Sequence, residues 1–526
     1  MSLFKYGLLL ICLYAISCDG KKESLNTSEL MQQAKEESLN PIHPGVPDQT
    51  PFWNEKALRF INVPSFDFRQ LENAKSYKFI ATSENDQNSY TFTAGEPWAV
   101  LTPIWEKLPV GYINLEVQGI SENGDTVGIA GERRFYRAAF FTGPYRQDRA
   151  DYRRHAIIQL ETLFNTDHIQ RWANEGTPDH AAYTLYAYPS KIVSAVAWSM
   201  ILYAKISPEH KDQAIKIARG AIDYLIQTSE PADAAYPFFP QTYEGSNIAA
   251  ERFQGQLMMC YPARAAMVYL YLYEVTQEDA YYQAAIRIAD TYQKTQLPGG
   301  TWPLKVNLSN GEAIKENLLS PSRVIFFLDM LVHQYHQVQY QSCIDKAFQW
   351  ILDNPVKTFD WEAQFEDITL RKSYQNLTHL EPAWFAYYLF MRYPDNSKYV
   401  KLAEKILQFC EDQFVIWEKP LTYEKQKSSL WIVPCALEQY SYYCPITSSA
   451  CRHIRAWLQA YKVTGRKLYL YKSIAMANSM VKVHNLETGF VNTVWWKEID
   501  NRIHQNRWLN NCAYFAETLL NMADLK

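Results

Sequence analysis

The chain has 526 residues, 48% hydrophobic and 21% charged, with a formal net charge of −4. That length suits two or three domains and a large core, and so small a charge excess does not by itself imply a polyanion partner such as nucleic acid. Aromatic residues make up 15%, with 37 Tyr and 15 Trp, enough to leave rings over for ligand stacking after helix packing has taken most of them.

The first predicted element, residues 1–18, is a targeting segment. Lys5 precedes an apolar run, Gly7 to Ile16, that is too short to span a bilayer comfortably. The run stops at Ala15-Ile16-Ser17-Cys18, which resembles a bacterial lipobox with Ala15 where Leu is usual. The resemblance implies cleavage before Cys18, lipidation of Cys18, and an exported protein anchored by lipid to the outer membrane, on its periplasmic or cell-surface side. A plain secretory signal is the alternative. Residues 19–50 are polar and contain Pro, as a tether does.

Residues 51–143 read as strands. Tyr77 to Ala81, Ser89 to Thr93 and Tyr112 to Gly119 alternate with period two, and Ser121-Glu122-Asn123-Gly124-Asp125 is turn chemistry. Strands at this spacing predict a β-sandwich. The segment resembles the fibronectin type III-like modules that precede catalytic domains in bacterial glycan-degrading enzymes, and a purely structural role is expected of it.

From residue 144 to 526 the period is helical. Tyr269 to Tyr281 matches Trp457 to Tyr469, with Tyr273 against Tyr461 and Thr276 against Thr464. Related units run from Ile192 to Leu225, Val324 to Leu352 and Tyr387 to Phe409, so five helix–turn–helix units recur about 60 residues apart. Two helices remain, near Asp148–Phe164 and Cys512–Leu525. Paired, they make a sixth hairpin and close the ring into an all-α (α/α)6 toroid. An open solenoid would need polar caps, and the last helix is apolar around much of its surface.

Turns within hairpins are short, whereas the connections between them, roughly 228–256, 297–320, 355–379, 415–447 and 485–508, are long and leave one end of the ring. Long connections in a compact domain are usually functional. They carry Tyr243, Trp302, Trp361, Tyr374, Tyr440, Tyr442 and Trp495, rings suited to stacking on sugars.

The loop Phe359 to Asp367 holds four carboxylates among aromatic residues. Glycosidic cleavage needs a protonated acid and a second carboxylate. Glu362 and Glu366, four apart, share a face, and neighbouring carboxylates drive one pKa upward. Glu366 is therefore expected as the acid, with Glu362 or Asp367 as the base; a solvated acidic loop is the alternative. Glu438, just before Tyr440 and Tyr442, is a second catalytic candidate from across the cleft. Trp302, Lys305 and Arg323 form a third group, the two cations suited to holding a carboxylate. Tyr243, Glu244, Arg371, Tyr374, Asn376 and His379 complete the expected sugar contacts. No cofactor or metal is expected, since no metal-ligand spacing or nucleotide-loop motif is present. Among the seven cysteines after Cys18, Cys444 and Cys451 are a possible disulfide.

The lipobox, the β-sandwich and the toroid together resemble polysaccharide-degrading proteins of Bacteroidetes-type bacteria, most closely the toroid families acting on uronic-acid glycans, including β-glucuronidase-type glycoside hydrolases. Leu437-Glu438-Gln439-Tyr440 is also loosely similar to the Leu-Glu-Glu-Tyr segment of glucuronyl C5-epimerases, with Gln439 replacing the second Glu. The resemblance implies a hydrolase of a uronic-acid-containing poly- or oligosaccharide. A lyase or epimerase using Tyr440 or His379, and a surface glycan-binding lipoprotein without catalysis, stay open.

Overall fold

The computed structural model describes residues 27–42, 56–145, 147–245, 249–367, 374–418, 432–495 and 507–525. Its helices fall into two kinds by sequence. Pro189–Ile206, Tyr261–Thr276, Ser322–Gln334, Leu380–Arg392, Thr447–Thr464 and Leu509–Ala523 are buried on nearly every side; in the first, every residue from Ile192 to Ile201 is buried. A helix apolar all round has to lie inside. The partners Lys211–Gln227, Asp279–Thr295, Gln341–Asp353, Ser397–Phe414 and Tyr152–Phe164 bury one stripe each and face water with the other, while the sixth, Lys467–Val481, is also covered from outside by Thr27–Ser38.

Each inner helix packs against the next, and Leu509–Ala523 closes against Pro189–Ile206. Trp198 and Tyr514 meet edge to face across that seam at 5.2 Å. Tyr152–Phe164 pairs with Leu509–Ala523, so the first and last helices make the sixth hairpin. The predicted ring is therefore present. Both repeat copies end their first helix at the matching Thr, Thr276 and Thr464. After Thr464, Gly465 takes the left-handed conformation at φ 69°, and its N–H satisfies the Tyr461 carbonyl. On the outside, Gly220 lets its helix touch the Trp172 carbonyl; a Cβ there would lie 1.8 Å from that oxygen. Stretches 228–260, 296–321, 354–379, 415–446 and 482–508 all lead from an outer helix to the start of an inner one, which gathers them at a single end.

The N-terminal strands form one sheet, in the order Arg59–Phe60, Thr126–Arg137, Gly111–Ile120, Ser76–Ser83, Ser89–Ala94. The first pairing is parallel and the rest antiparallel. Tyr77, Phe79, Ala81, Ile113, Leu115, Val117 and Phe135 bury one face. Among the described residues the layer over that face is not a second sheet, as the sandwich expectation requires. It is irregular chain carrying Phe66 and Phe68, plus the helical turn Thr102–Trp105, whose Trp105 stacks on Phe135 at 6.1 Å.

The sheet is clamped to the toroid. Asp412 accepts from the Ile61 and Asn62 amides at 2.6 and 2.7 Å, and the Arg59 guanidinium donates to the Val415 carbonyl. The expected tether at 19–50 is also corrected, because it contains the helix Thr27–Ser38. Leu30 and Ala34 pack on Phe141, Tyr145, Leu468 and Ala475, and Glu37 pairs with Arg466 and with Lys472 at 3.1 Å. Polar composition concealed a one-faced amphipathic helix. Cys444 and Cys451 form no disulfide and are buried, like Cys260, Cys343, Cys410, Cys435 and Cys512. Cys18 lies outside the described residues.

Candidate active site

Short extended segments from two loops lie side by side at the loop end. Glu362 bridges Leu377, and Thr378 bridges Gln439 of strand Cys435–Gln439. The Ala363 amide donates to Asn376, that of Thr378 to Trp361 and that of Tyr440 to Leu377, at 2.8 to 3.1 Å. This ladder fixes the positions of Glu366, Asp367 and Glu438.

Glu366 is 4% exposed. Lys191, from the first turn of its inner helix, pairs with one carboxylate oxygen, and the Tyr261 hydroxyl donates to the other. Its backbone carbonyl accepts from the Tyr243 hydroxyl at 2.6 Å and the Lys305 ammonium at 3.1 Å. Burial alone would raise the Glu366 pKa. The charge and hydrogen bond of Lys191, with the Tyr261 hydroxyl, outweigh burial and hold it below the usual carboxylate range.

Glu438 is pushed the other way. It is 6% exposed, with one hydrogen bond from Gln439 at 3.2 Å. Burial first, and the Asp367 charge second, raise it to about 7, against the pull of Lys191 and Arg452. Asp367 is exposed at the rim, yet flanking protein displaces much of its water; that loss and the Glu366 charge raise its carboxyl as well. Burial also lowers Lys305 to about 8. The site thus sets a low-pKa carboxylate and a high-pKa carboxyl within one electrostatic neighbourhood, the pattern that separates base from acid.

Several expected contacts have other duties. Trp302, Trp361 and Trp495 are fully buried. The indoles of Trp302 and Trp495 donate to the Tyr292 carbonyl and the Thr447 hydroxyl at 3.0 and 2.9 Å, so these rings anchor loops and present no face to a sugar. Glu362 accepts from Asn317 at 2.9 Å, joining two loops instead of facing Glu366. Asn376 bridges Gln439 and the Ser441 amide at 2.8 and 2.7 Å. Arg323 is buried and paired with Glu381 at 2.8 Å. Tyr440 is buried, donating to Gln413 at 2.7 Å. His379 is wholly buried, 4.5 Å from the His453 ring, and burial holds it far below the ordinary imidazole value, so it stays neutral in an apolar packing position. These placements remove Tyr440 and His379 as proton-abstracting groups. Tyr374 is half-buried and donates to the Thr358 carbonyl at 3.0 Å. Tyr442 is half-buried, and Glu244 is tied to Tyr224. Arg371 lies outside the described residues.

Sequence reasoning missed Lys191, Tyr261, Arg264 and Tyr514. A signal existed: Lys191 and Arg264 are lone cations in the first turns of otherwise apolar helices, where burial makes charge costly unless it has a purpose.

No protein-family model matches the chain, and no curated protein matches its sequence. Among solved structures it is similar to the unsaturated glucuronyl hydrolase of Streptococcus agalactiae, with a TM-score of 0.49 and 11% identity over 72% of this chain and 94% of that one. A family 76 glycoside hydrolase from a bovine Bacteroides thetaiotaomicron strain gives a TM-score of 0.48 and 8% identity over 85% and 93%. The cellobiose 2-epimerase of Spirochaeta thermophila gives 0.46 and 8% over 64% and 87%.

Proposed function

We propose that the chain is a glycoside hydrolase acting on a uronic-acid-containing poly- or oligosaccharide at the loop end of the toroid. The observation that carries this reading is the contrast between two buried carboxyls at the loop end: Glu366 is paired with Lys191 and accepts from Tyr261, which holds it low, whereas Glu438 accepts from Gln439 and burial drives it up. Glu438, protonated up to about pH 7, serves as the general acid toward the leaving oxygen. Glu366, ionised by its pairing with Lys191, is the base or nucleophile. This exchanges the role expected of Glu366 from its sequence neighbours, because Lys191 arrives from a distant helix. Lys191 and Lys305 beside the carboxylates favour an acidic substrate. Lipidation of Cys18 would hold the enzyme at a membrane surface near its glycan.

A lyase or epimerase is the second reading, and one observation favours it. Burial alone would raise Tyr514, but Arg264, Arg452, Arg323 and Arg455 bring it below the ordinary phenol value, as suits a proton-abstracting tyrosine. Incubation with acidic and neutral polysaccharides separates the readings. New reducing ends without ultraviolet absorbance identify the hydrolase, unsaturated absorbing products the lyase, and deuterium uptake from heavy water without cleavage the epimerase; binding with none of these rejects both readings in favour of a glycan-binding protein.

A further inference from the structure

Below the carboxylates, the toroid axis carries more positive charge than its carboxylates neutralise. Arg323 and Arg455 each have a partner, Glu381 at 2.8 Å and Glu517 at 2.7 Å. Arg264 and Arg452 form no ion pair among the described residues, although they are only 6% and 9% exposed. The buried Arg264 Nη2 and Arg452 Nε atoms have no hydrogen-bond acceptor there. A guanidinium buried without an anion is strongly disfavoured, so a pair of them marks a place prepared for a charge that arrives from outside.

The two guanidinium carbons lie 5.1 and 5.2 Å from the Tyr514 ring centroid. Two cavities share Tyr514, Trp384 and Arg455 as walls; Arg452 lines one, Arg264 the other. The larger has about 30 Å³ of room for the centres of water-sized groups, enough for an oxyanion group, and opens beyond it. Arg452 also feels the charge of Glu438, which places this cluster next to the proposed acid.

We propose that Arg264 and Arg452 form an anion subsite beside Tyr514 that takes the carboxylate or sulfate group of an acidic sugar unit. Forked guanidinium donors match the planar or tetrahedral oxyanions of those groups. Trp384 and Tyr514 supply apolar wall for the ring that bears the charge. The proposal rests on the reading of the loop end as a glycan site and adds to it the place where the charge is held.

Calorimetric titration of the full-length protein with glucuronate, glucose 6-sulfate and glucose tests it. At least one of the two anions is expected to bind saturably, with glucose weaker by at least about tenfold. Arg264→Met and Arg452→Met should each weaken the anion by at least about tenfold and remain folded, since each removes an unpaired buried charge. If a Met variant fails to fold, Arg264→Lys and Arg452→Lys, which keep charge and lose the fork, should still weaken binding. Glucuronate alone identifies a carboxylate ligand and glucose 6-sulfate alone a sulfate. No saturable anion binding, or equal affinity in wild type and variants, overturns the proposal. Anion binding by a wild-type protein that cleaves no glycan would reject the hydrolase reading and leave the subsite standing.

Discussion

Lys191 and Glu366, 175 positions apart in sequence, form a buried ion pair at the loop end of the toroid. Neither residue means much alone. Lys191 sits in the first turn of Pro189–Ile206, and Glu366 lies within the 354–379 connection, pinned by Tyr243, Tyr261 and Lys305. Their contact is what keeps a carboxylate ionised where burial would otherwise protonate it.

Replacing Lys191 by Met removes the largest of the influences that lower Glu366 and leaves burial dominant. The Glu366 pKa then rises and less of it is ionised at a given acidic pH. The acid limb of the kcat/KM profile should move to higher pH, with Lys191→Arg restoring most of the original position. An unmoved limb in Lys191→Met would show that Glu366 ionisation does not limit the rate.

Glu438 and Asp412 make stability depend on pH with a definite sign. Burial raises both to about 7 from ordinary values of 4.5 and 3.8. Between those values the folded protein retains protons that the unfolded chain has released. Their contribution is complete below the ordinary value and is lost as pH rises through about 7. Glu366, held low, acts oppositely and loses its contribution as pH falls. Measured by calorimetry across a buffer series, the Tm advantage of wild type over Glu438→Gln should shrink from about pH 5 to pH 8, whereas the buried imidazoles of His168, His453 and His484, held at about 4, act in the opposite sense in both proteins.

Asp412 is also the peg between sheet and toroid. Asp412→Ala leaves the Ile61 and Asn62 amides without an acceptor, which costs about 1–3 kcal/mol for each buried donor. Equilibrium denaturation should show that loss, and Asp412→Asn, which keeps an acceptor oxygen, should recover much of it.

The helix Thr27–Ser38 contributes through Glu37, which bridges Arg466 and Lys472. Lys472 retains Glu411 at 2.7 Å when Glu37 is removed, so the loss stays moderate. Glu37→Ala should lower unfolding free energy by about 1–3 kcal/mol. Limited proteolysis should then cut near residue 40 sooner than in wild type.

The helical ring was legible because its signals are local and repeat. Thr276 and Thr464 mark the same turn in two copies, and the apolar last helix demands a partner. The sheet strands were legible from alternation, but their cover was not, since Phe66 and Phe68 lie in chain without a period. At the site, Glu366, Asp367 and Glu438 stood out as carboxylates in aromatic loops. Their roles did not, because a pKa belongs to neighbours such as Lys191 that only the closed ring supplies. Trp302, Trp361 and Trp495 illustrate the opposite error. A large ring in a loop reads as a stacking surface until burial shows it to be the loop's anchor.

The most direct test of the account is the turnover of Glu366→Gln and Glu438→Gln on an acidic oligosaccharide that the wild type cleaves, with binding measured in parallel. Each variant should bind the oligosaccharide as wild type does and lose about 10²–10⁴-fold in kcat. In residual Glu438→Gln activity, the decline above pH 7 should disappear. Wild-type turnover in either variant would contradict the assignment of acid and base on which the account depends.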